Sequence, residues 1–167
     1  MLVSPFIAFT QQKESEARKL PSVTVRTLTG ENVNTTKLSN EGKPFVIDFW
    51  ATWCKPCIQE LIAIHENYQD WIKETGVKVI AVSIDDARNS MKVAPFVNGK
   101  SWDFEIFIDE NADFKRALNV NDVPHTFVIN GKGEIVWQHE GYKPGDESEL
   151  YEVIKKVAAT GTVSTPK

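Results

Sequence analysis

Only two cysteines occur among the 167 residues, and both lie in one short stretch, Trp53-Cys54-Lys55-Pro56-Cys57. This pair and its surroundings constrain the chain more than any other feature. Upstream, Phe45–Trp50 is a run of β-branched and aromatic residues interrupted only by Asp48, which suits a strand covered on both faces of a sheet. Downstream, Ile58, Leu61, Ile62, His65, Tyr68 and Ile72 recur at three- and four-residue spacing, and Gly76 stands where a glycine would end a helix. The cysteines therefore fall where a buried strand passes into a helix. The free N–H groups and partial positive charge of a helix start favour thiolate over thiol at Cys54. Pro56 fits the first turn, where its missing N–H costs nothing, and the Lys55 cation lowers the thiol pKa further. Cys54 is then the attacking thiol, and Cys57, one turn deeper, resolves the mixed disulfide. The bland alternatives are two inert thiols or half a zinc site, although a zinc site made of cysteines alone needs four.

The rest of the chain reads as one domain. Residues 23–28 form a short strand ending at the Thr29-Gly30 turn, and residues 35–38 a helical turn. Residues 77–84 form a second buried strand, 88–97 a helix interrupted by Pro95, and 104–108 a short strand. Residues 111–118 form a helix capped by Asn111. Strands at 126–129 and 134–139 flank Asn130-Gly131-Lys132-Gly133, a strong hairpin signal. Residues 147–159 close the domain as an amphipathic helix with Leu150, Val153, Ile154 and Val157 inward. This order predicts an α/β fold: a central mixed sheet with helices on both faces. The expected division is a leader or tether over 1–19, the domain over 20–160 and a tail over 161–167. Residues 1–10 are apolar but lack the basic start of a secretory signal. Two readings fit them: the downstream end of a signal whose start lies outside this chain, or an uncleaved segment packed on the domain.

Composition narrows the function. Lys plus Arg total 19 against 23 Asp plus Glu, a net charge of −4, with no run of like charges to grip phosphates; nucleic acid is excluded as a partner. No stretch reaches the ~18 apolar residues of a membrane span.

The segment Phe49-Trp50-Ala51-Thr52-Trp53-Cys54-Lys55-Pro56-Cys57, together with Val123-Pro124 at the entry of a later strand, resembles the thioredoxin superfamily. The likeness covers roughly residues 20–159. It implies a thioredoxin-like fold, a cis peptide before Pro124, and a proline that faces the cysteine pair and shapes the cleft. The extra stretch 85–107, which supplies a helix and a strand after the second core strand, resembles the TlpA/ResA-like branch, as do the Trp-Cys-x-Pro-Cys form and the leader. That branch is typically exported or periplasmic, in places tethered to the membrane at the N-terminus. The branch implies a thiol–disulfide oxidoreductase working mostly as a reductase of protein disulfides, recharged by a membrane or soluble electron donor. It is expected to act as a monomer, with no cofactor or metal beyond the Cys54–Cys57 pair. Lys55 stands where thioredoxin has glycine, and His125 where threonine is usual.

Two carboxylates complete the expected machinery. Asp48 shares a strand face with Val46 and Trp50, and burial there raises its pKa, making it a proton acceptor for Cys57. In thioredoxin itself a buried aspartate occupies this place. Glu60 stands one helical turn after Cys57, where the ResA-like branch also carries a glutamate. Their bland readings are a structural hydrogen bond for Asp48 and a solvated helix position for Glu60. Trp53 and Val123 flank a cleft suited to an extended polypeptide, with Lys55 and His125 beside it; His125 either adds positive charge near Cys54 or is a solvent-facing loop residue. His65 reads as a packed core residue and His139 as surface. Asp85-Asp86 and Asp109-Glu110 read as solvated turn residues. A thiol peroxidase is excluded for want of the threonine and arginine around its cysteine. The remaining rival is a thioredoxin-fold copper-binding chaperone using Cys54, Cys57 and one histidine as soft ligands.

Overall fold

A computed structural model describes residues 17–163. Seven strands form one sheet: β1 (Thr24–Thr27), β2 (Asn32–Asn34), β3 (Phe45–Trp50), β4 (Lys78–Ser83), β5 (Glu105–Ile108), β6 (His125–Ile129) and β7 (Ile135–Glu140). The helices are α1 (Lys55–Thr75), α2 (Val93–Lys100), α3 (Asp113–Ala117) and α4 (Asp146–Thr160). The strand order is β2-β1-β5-β4-β3-β6-β7. The central strands β3, β4 and β5 are parallel, whereas β6, β7, β1 and β2 join antiparallel. This is the expected mixed α/β sheet, and α2 with β5 is the inserted helix–strand unit, β5 lying between β4 and β1.

Alternation sorts the central strands onto two cores. Val46, Trp50, Val79, Ala81 and Val128 face α1, α2 and α4, while Ile47, Phe49, Ile80, Val82 and Phe127 face Phe114 and Leu118 around α3. All six residues of β3 are buried. A continuous apolar run is what such a doubly covered strand requires.

Several local expectations need correction. The three-residue β2 escaped notice because its Asn-Val-Asn sequence carries no strand signal; its register against β1, Val25 opposite Val33, creates it. Pro95 does not interrupt a helix. A single turn at Ser90–Lys92 precedes α2, and Pro95 is the third residue of α2, where no N–H is needed. Asn111 does not cap α3; the carboxylate of Asp109 accepts from Phe114 N–H at 3.1 Å and Lys115 N–H at 2.8 Å. The inward face of α1 is rotated from the expected stripe: Cys57, Glu60, Leu61, Ile64, Tyr68 and Trp71 are buried, whereas Ile72 is exposed. Trp71 stacks on Tyr151 of α4, which sets that rotation.

Residues 1–16 and 164–167 lie outside the described residues, and with them both readings of the apolar start. Arg18 and Lys19, assigned to the leader, touch the domain: Arg18 C=O accepts from Ile135 N–H at 2.8 Å, and the Lys19 backbone pairs antiparallel with that of Glu134. No helix among the described residues is long and apolar enough to cross a membrane.

Candidate active site

The site lies at the carboxyl end of β3, where α/β sheets commonly place their chemistry. Past Trp50 the chain makes one tight turn, closed by Cys54 N–H to Ala51 C=O at 3.1 Å, and enters α1. Cys54 is the N-cap. Its Sγ accepts from Cys57 N–H at 3.3 Å, and Pro56 occupies the first turn. Cys54 and Cys57 are joined as a disulfide. Cys57 has no accessible surface, and Cys54 keeps 6 %. The outer sulfur is therefore the one an incoming partner can reach. Trp53 is 63 % exposed beside it, and Lys55 projects into solvent.

Across the cleft the Val123–Pro124 peptide bond is cis, as the resemblance implies. Val123 C=O lies 3.7 Å from Cys54 Sγ, a contact that reduction of the disulfide would let the thiol proton bridge. Pro124 is held by its own carbonyl, which accepts from Gly141 N–H at 2.8 Å.

Beneath the pair sit the two acids. Asp48 is wholly buried on the α1 face, opposite Ala81 on one side and Thr126 on the other. The small Ala81 leaves room for it, yet neither of its oxygens has a hydrogen-bond partner among the described residues. Glu60, rotated inward with Cys57, is 4 % exposed; Oε1 accepts from Thr126 Oγ1 at 3.0 Å and Oε2 has no partner. Burial pushes the Asp48 carboxyl well above its usual range, and the Glu60 charge pushes it further. Burial also pushes Glu60 up to about 8, against the Thr126 bond and with Asp146 and Glu147 adding to the rise. Two buried carboxyls thus lie on one face of the sheet, and both are raised.

His125 departs from expectation. It opens β6, is 7 % exposed, and stacks on Phe127 at 4.6 Å between centroids, on the sheet face away from α1. Burial lowers its pKa; Gln138 and Glu140 oppose this weakly, and neither ring nitrogen reaches hydrogen-bonding geometry. A neutral, covered imidazole brings no positive charge to Cys54. His65 is half-buried against Phe104 and 3.3 Å from Asp103, and His139 is half-buried, 3.5 Å from Asp146. Among the described residues no three His, Cys, Asp or Glu side chains gather as metal ligands.

The site also contains residues that pattern reading overlooked. Asp85, expected as a solvated turn residue, has no accessible surface and bonds to Thr52 and Ser83. Thr126 ties Glu60 to β6. Only Asp85 offered a signal, as an acid two residues beyond a buried strand, and its main partner lies 33 positions away.

Residues 15–154 match the Redoxin family model. The chain is 31 % identical over 147 residues to the thiol-disulfide oxidoreductase ResA of Bacillus thuringiensis (strain Al Hakam), covering 88 % of this chain and 81 % of that protein. It is 33 % identical over 138 residues to the thioredoxin-like protein YneN of Bacillus subtilis (strain 168), covering 80 % and 76 %. Among solved structures it is similar to an uncharacterized thioredoxin-like protein from Porphyromonas gingivalis, with 46 % identity, a TM-score of 0.77 and coverage of 89 % and 97 %. A putative thiol:disulfide interchange protein DsbE from Chlorobium tepidum matches at 27 % identity, a TM-score of 0.71 and coverage of 86 % and 97 %. With the cysteine pair capping α1, a cis proline across the cleft and the inserted α2–β5 unit in the sheet, the chain belongs to the redoxin family, in the TlpA/ResA-like branch of the thioredoxin superfamily.

Proposed function

We propose that this thiol–disulfide oxidoreductase works as a reductase of protein disulfides outside the cytoplasm, as a monomer recharged by a thiol donor of lower potential. The observation that supports it best is the placement of Cys54: an N-cap sulfur with residual exposure beside an exposed Trp53, above a fully enclosed Cys57. In the reduced enzyme the Cys54 thiolate attacks one sulfur of the substrate disulfide. A Cys54–substrate bond forms, the substrate S–S bond breaks, and the second substrate sulfur leaves as a thiolate that takes a proton from solvent. In the singly ionised form of the Asp48–Glu60 pair, the one carboxylate takes the proton of Cys57, and the Cys57 thiolate attacks Cys54 Sγ. The Cys54–Cys57 bond forms, the mixed disulfide breaks, and the departing thiolate is protonated. Two electrons have passed to the substrate, and the donor restores the dithiol. Pro124 and Val123 form the wall against which an extended substrate backbone lies, with Trp53 as the opposite rim and Lys55 at its solvent edge. The TlpA/ResA-like branch is typically exported, which supports the location. The pair itself is the redox centre, with no further cofactor.

Cys57→Ser incubated with a protein disulfide should accumulate a mixed disulfide through Cys54, read by mass spectrometry; equal adduct on Cys54→Ser would reverse the assignment. Equilibration of the pair with glutathione tests direction in the same preparation: a potential near −270 mV supports a reductase, and one near −120 mV an oxidant.

A further inference from the structure

The turn that carries Cys54 is held from outside. Beyond Ser83, at the end of β4, the side chain of Asp85 folds back beneath residues 51–54 and is wholly covered. Its Oδ2 accepts from Thr52 N–H at 2.9 Å and from Ser83 Oγ at 2.7 Å, and its Oδ1 accepts from Thr52 Oγ1 at 2.6 Å. Ser83 Oγ in turn accepts from Asp85 N–H at 3.0 Å. Among the described residues no lysine, arginine or histidine pairs with it. A carboxylate is costly to bury, and here three neutral donors, two of them from one residue, satisfy it.

Thr52 is a corner of the loop that Cys54 N–H closes on Ala51 C=O, so a shift of Thr52 carries Cys54 with it. The same stretch of chain grips the other side of the turn: Phe96 and Trp102 lie 5.7 and 5.5 Å from the ring of Trp50. The inserted unit thus clamps the strand exit twice, by rings before the turn and by a carboxylate within it.

We propose that Asp85 is a positioning residue for thiol–disulfide exchange: through Thr52 it fixes the 51–54 turn so that Cys54 Sγ meets the first free N–H groups of α1, and thereby sets how readily Cys54 attacks. The inference rests on the reading that Cys54 is the attacking thiol. Reactivity at a helix start depends on where the sulfur stands relative to the N–H groups, so it falls when the turn slides even if the fold survives.

The test uses the full-length reduced chain as wild type, Asp85→Asn, Thr52→Val, Thr52→Ser and the Asp85→Asn/Thr52→Val pair. The rate of Cys54 alkylation by iodoacetamide is followed across pH, beside the glutathione equilibrium and the thermal midpoint. Asp85→Asn and Thr52→Val should each slow alkylation at pH 7 by about tenfold, short of the ~10²-fold that a full 1 Å misplacement can cost, and move the profile to higher pH. Thr52→Ser, which keeps both donors, should restore it. The double variant should be no slower than the slower single one, because both break one clamp. Profiles and potentials that match wild type while only the midpoint drops would overturn the proposal and leave Asp85 a support of the fold. Should Asp85→Asn fail to fold, the half-buried Thr52→Val decides by the same readouts. If wild-type Cys54 itself alkylates like an ordinary thiol, the assignment of the attacking residue fails, and the clamp proposal is overturned with it.

Discussion

Asp48 and Asp85 make a natural experiment. Both are wholly buried aspartates on neighbouring parallel strands or just past their ends, one on either side of the cysteine turn. Asp85 receives three donors, whereas Asp48 receives none among the described residues. Burial alone therefore does not decide what a carboxyl does. A buried carboxyl supplied with donors is an architectural anchor, because its charge is already solvated by the protein. One left without them is stable only while it keeps a proton, and a group that keeps a proton in a catalytic cleft can trade it.

The sharpest way to break this contrast is to neutralise both raised carboxyls. Asp48→Asn with Glu60→Gln keeps shape and should slow decay of the Cys54–substrate mixed disulfide by about 10²–10⁴-fold, the usual range for general-base assistance. Either change alone should cost far less, because the remaining acid in its ionised form can accept the Cys57 proton. Rapid mixing with a model substrate measures all four proteins. Single effects that multiply to the double effect would mean that the two acids act separately.

Stability separates the aspartates next. Asp85→Ala strands the half-buried Thr52 N–H and two hydroxyls, at about 1–3 kcal/mol for each donor left unpaired, so a loss of about 3 kcal/mol, at the low end because Thr52 is half-buried, is expected in urea unfolding. Asp48→Asn removes a carboxyl that has no partner to lose and should be neutral or stabilising by about 1 kcal/mol. Equal losses would erase the distinction.

The smallest effect is in pH. Glu60 has an ordinary value of 4.5 when unfolded and is raised to about 8 in the fold, so between those values the folded chain holds a proton that the unfolded chain has released. Its contribution to stability is fully present below 4.5 and is lost as pH climbs toward 8. Asp48 works in the same direction. His125, lowered from 6.5, works oppositely and only at pH below that value. The thermal midpoint should therefore fall from pH 6.5 to 8, and Glu60→Gln should flatten the fall. An unchanged slope in that variant would place the linked proton elsewhere.

Much of this was legible in the chain. The run Phe45–Trp50 announced a doubly covered strand, the stripe of α4 was read residue for residue, and the Asn130–Gly133 turn marked the β6–β7 hairpin. Gly131 shows why that turn tolerates nothing larger: a Cβ there would stand 1.9 Å from Gly42 C=O. The errors share one cause, a partner distant in sequence. Helix α1 carries apolar residues on more than one side, and only Tyr151 of α4 and the sheet decide that Trp71 rather than Ile72 turns inward. That same rotation brings Glu60 into the core, against its solvated reading. Asp85 looks like a turn residue until Thr52 is placed beside it, and His125 looks like loop until its pairing with Phe49 makes it the first residue of β6.

The inserted strand also has a consequence in time. The hairpin β1–β2 reaches the rest of the sheet through β5, in the pairing of Arg26 with Ile108 and Thr27 with Phe107. Its anchorage is thus made about eighty residues after the hairpin itself, an interval on the order of seconds to tens of seconds at the pace of a ribosome. The unit β3–α1–β4, which contains both cysteines, is contiguous and closes on itself within residues 45–83. Short-range closure precedes long-range closure when loop entropy is the obstacle. A nascent chain therefore holds its thiols within a formed strand–helix–strand unit while its first hairpin still waits for a place in the sheet.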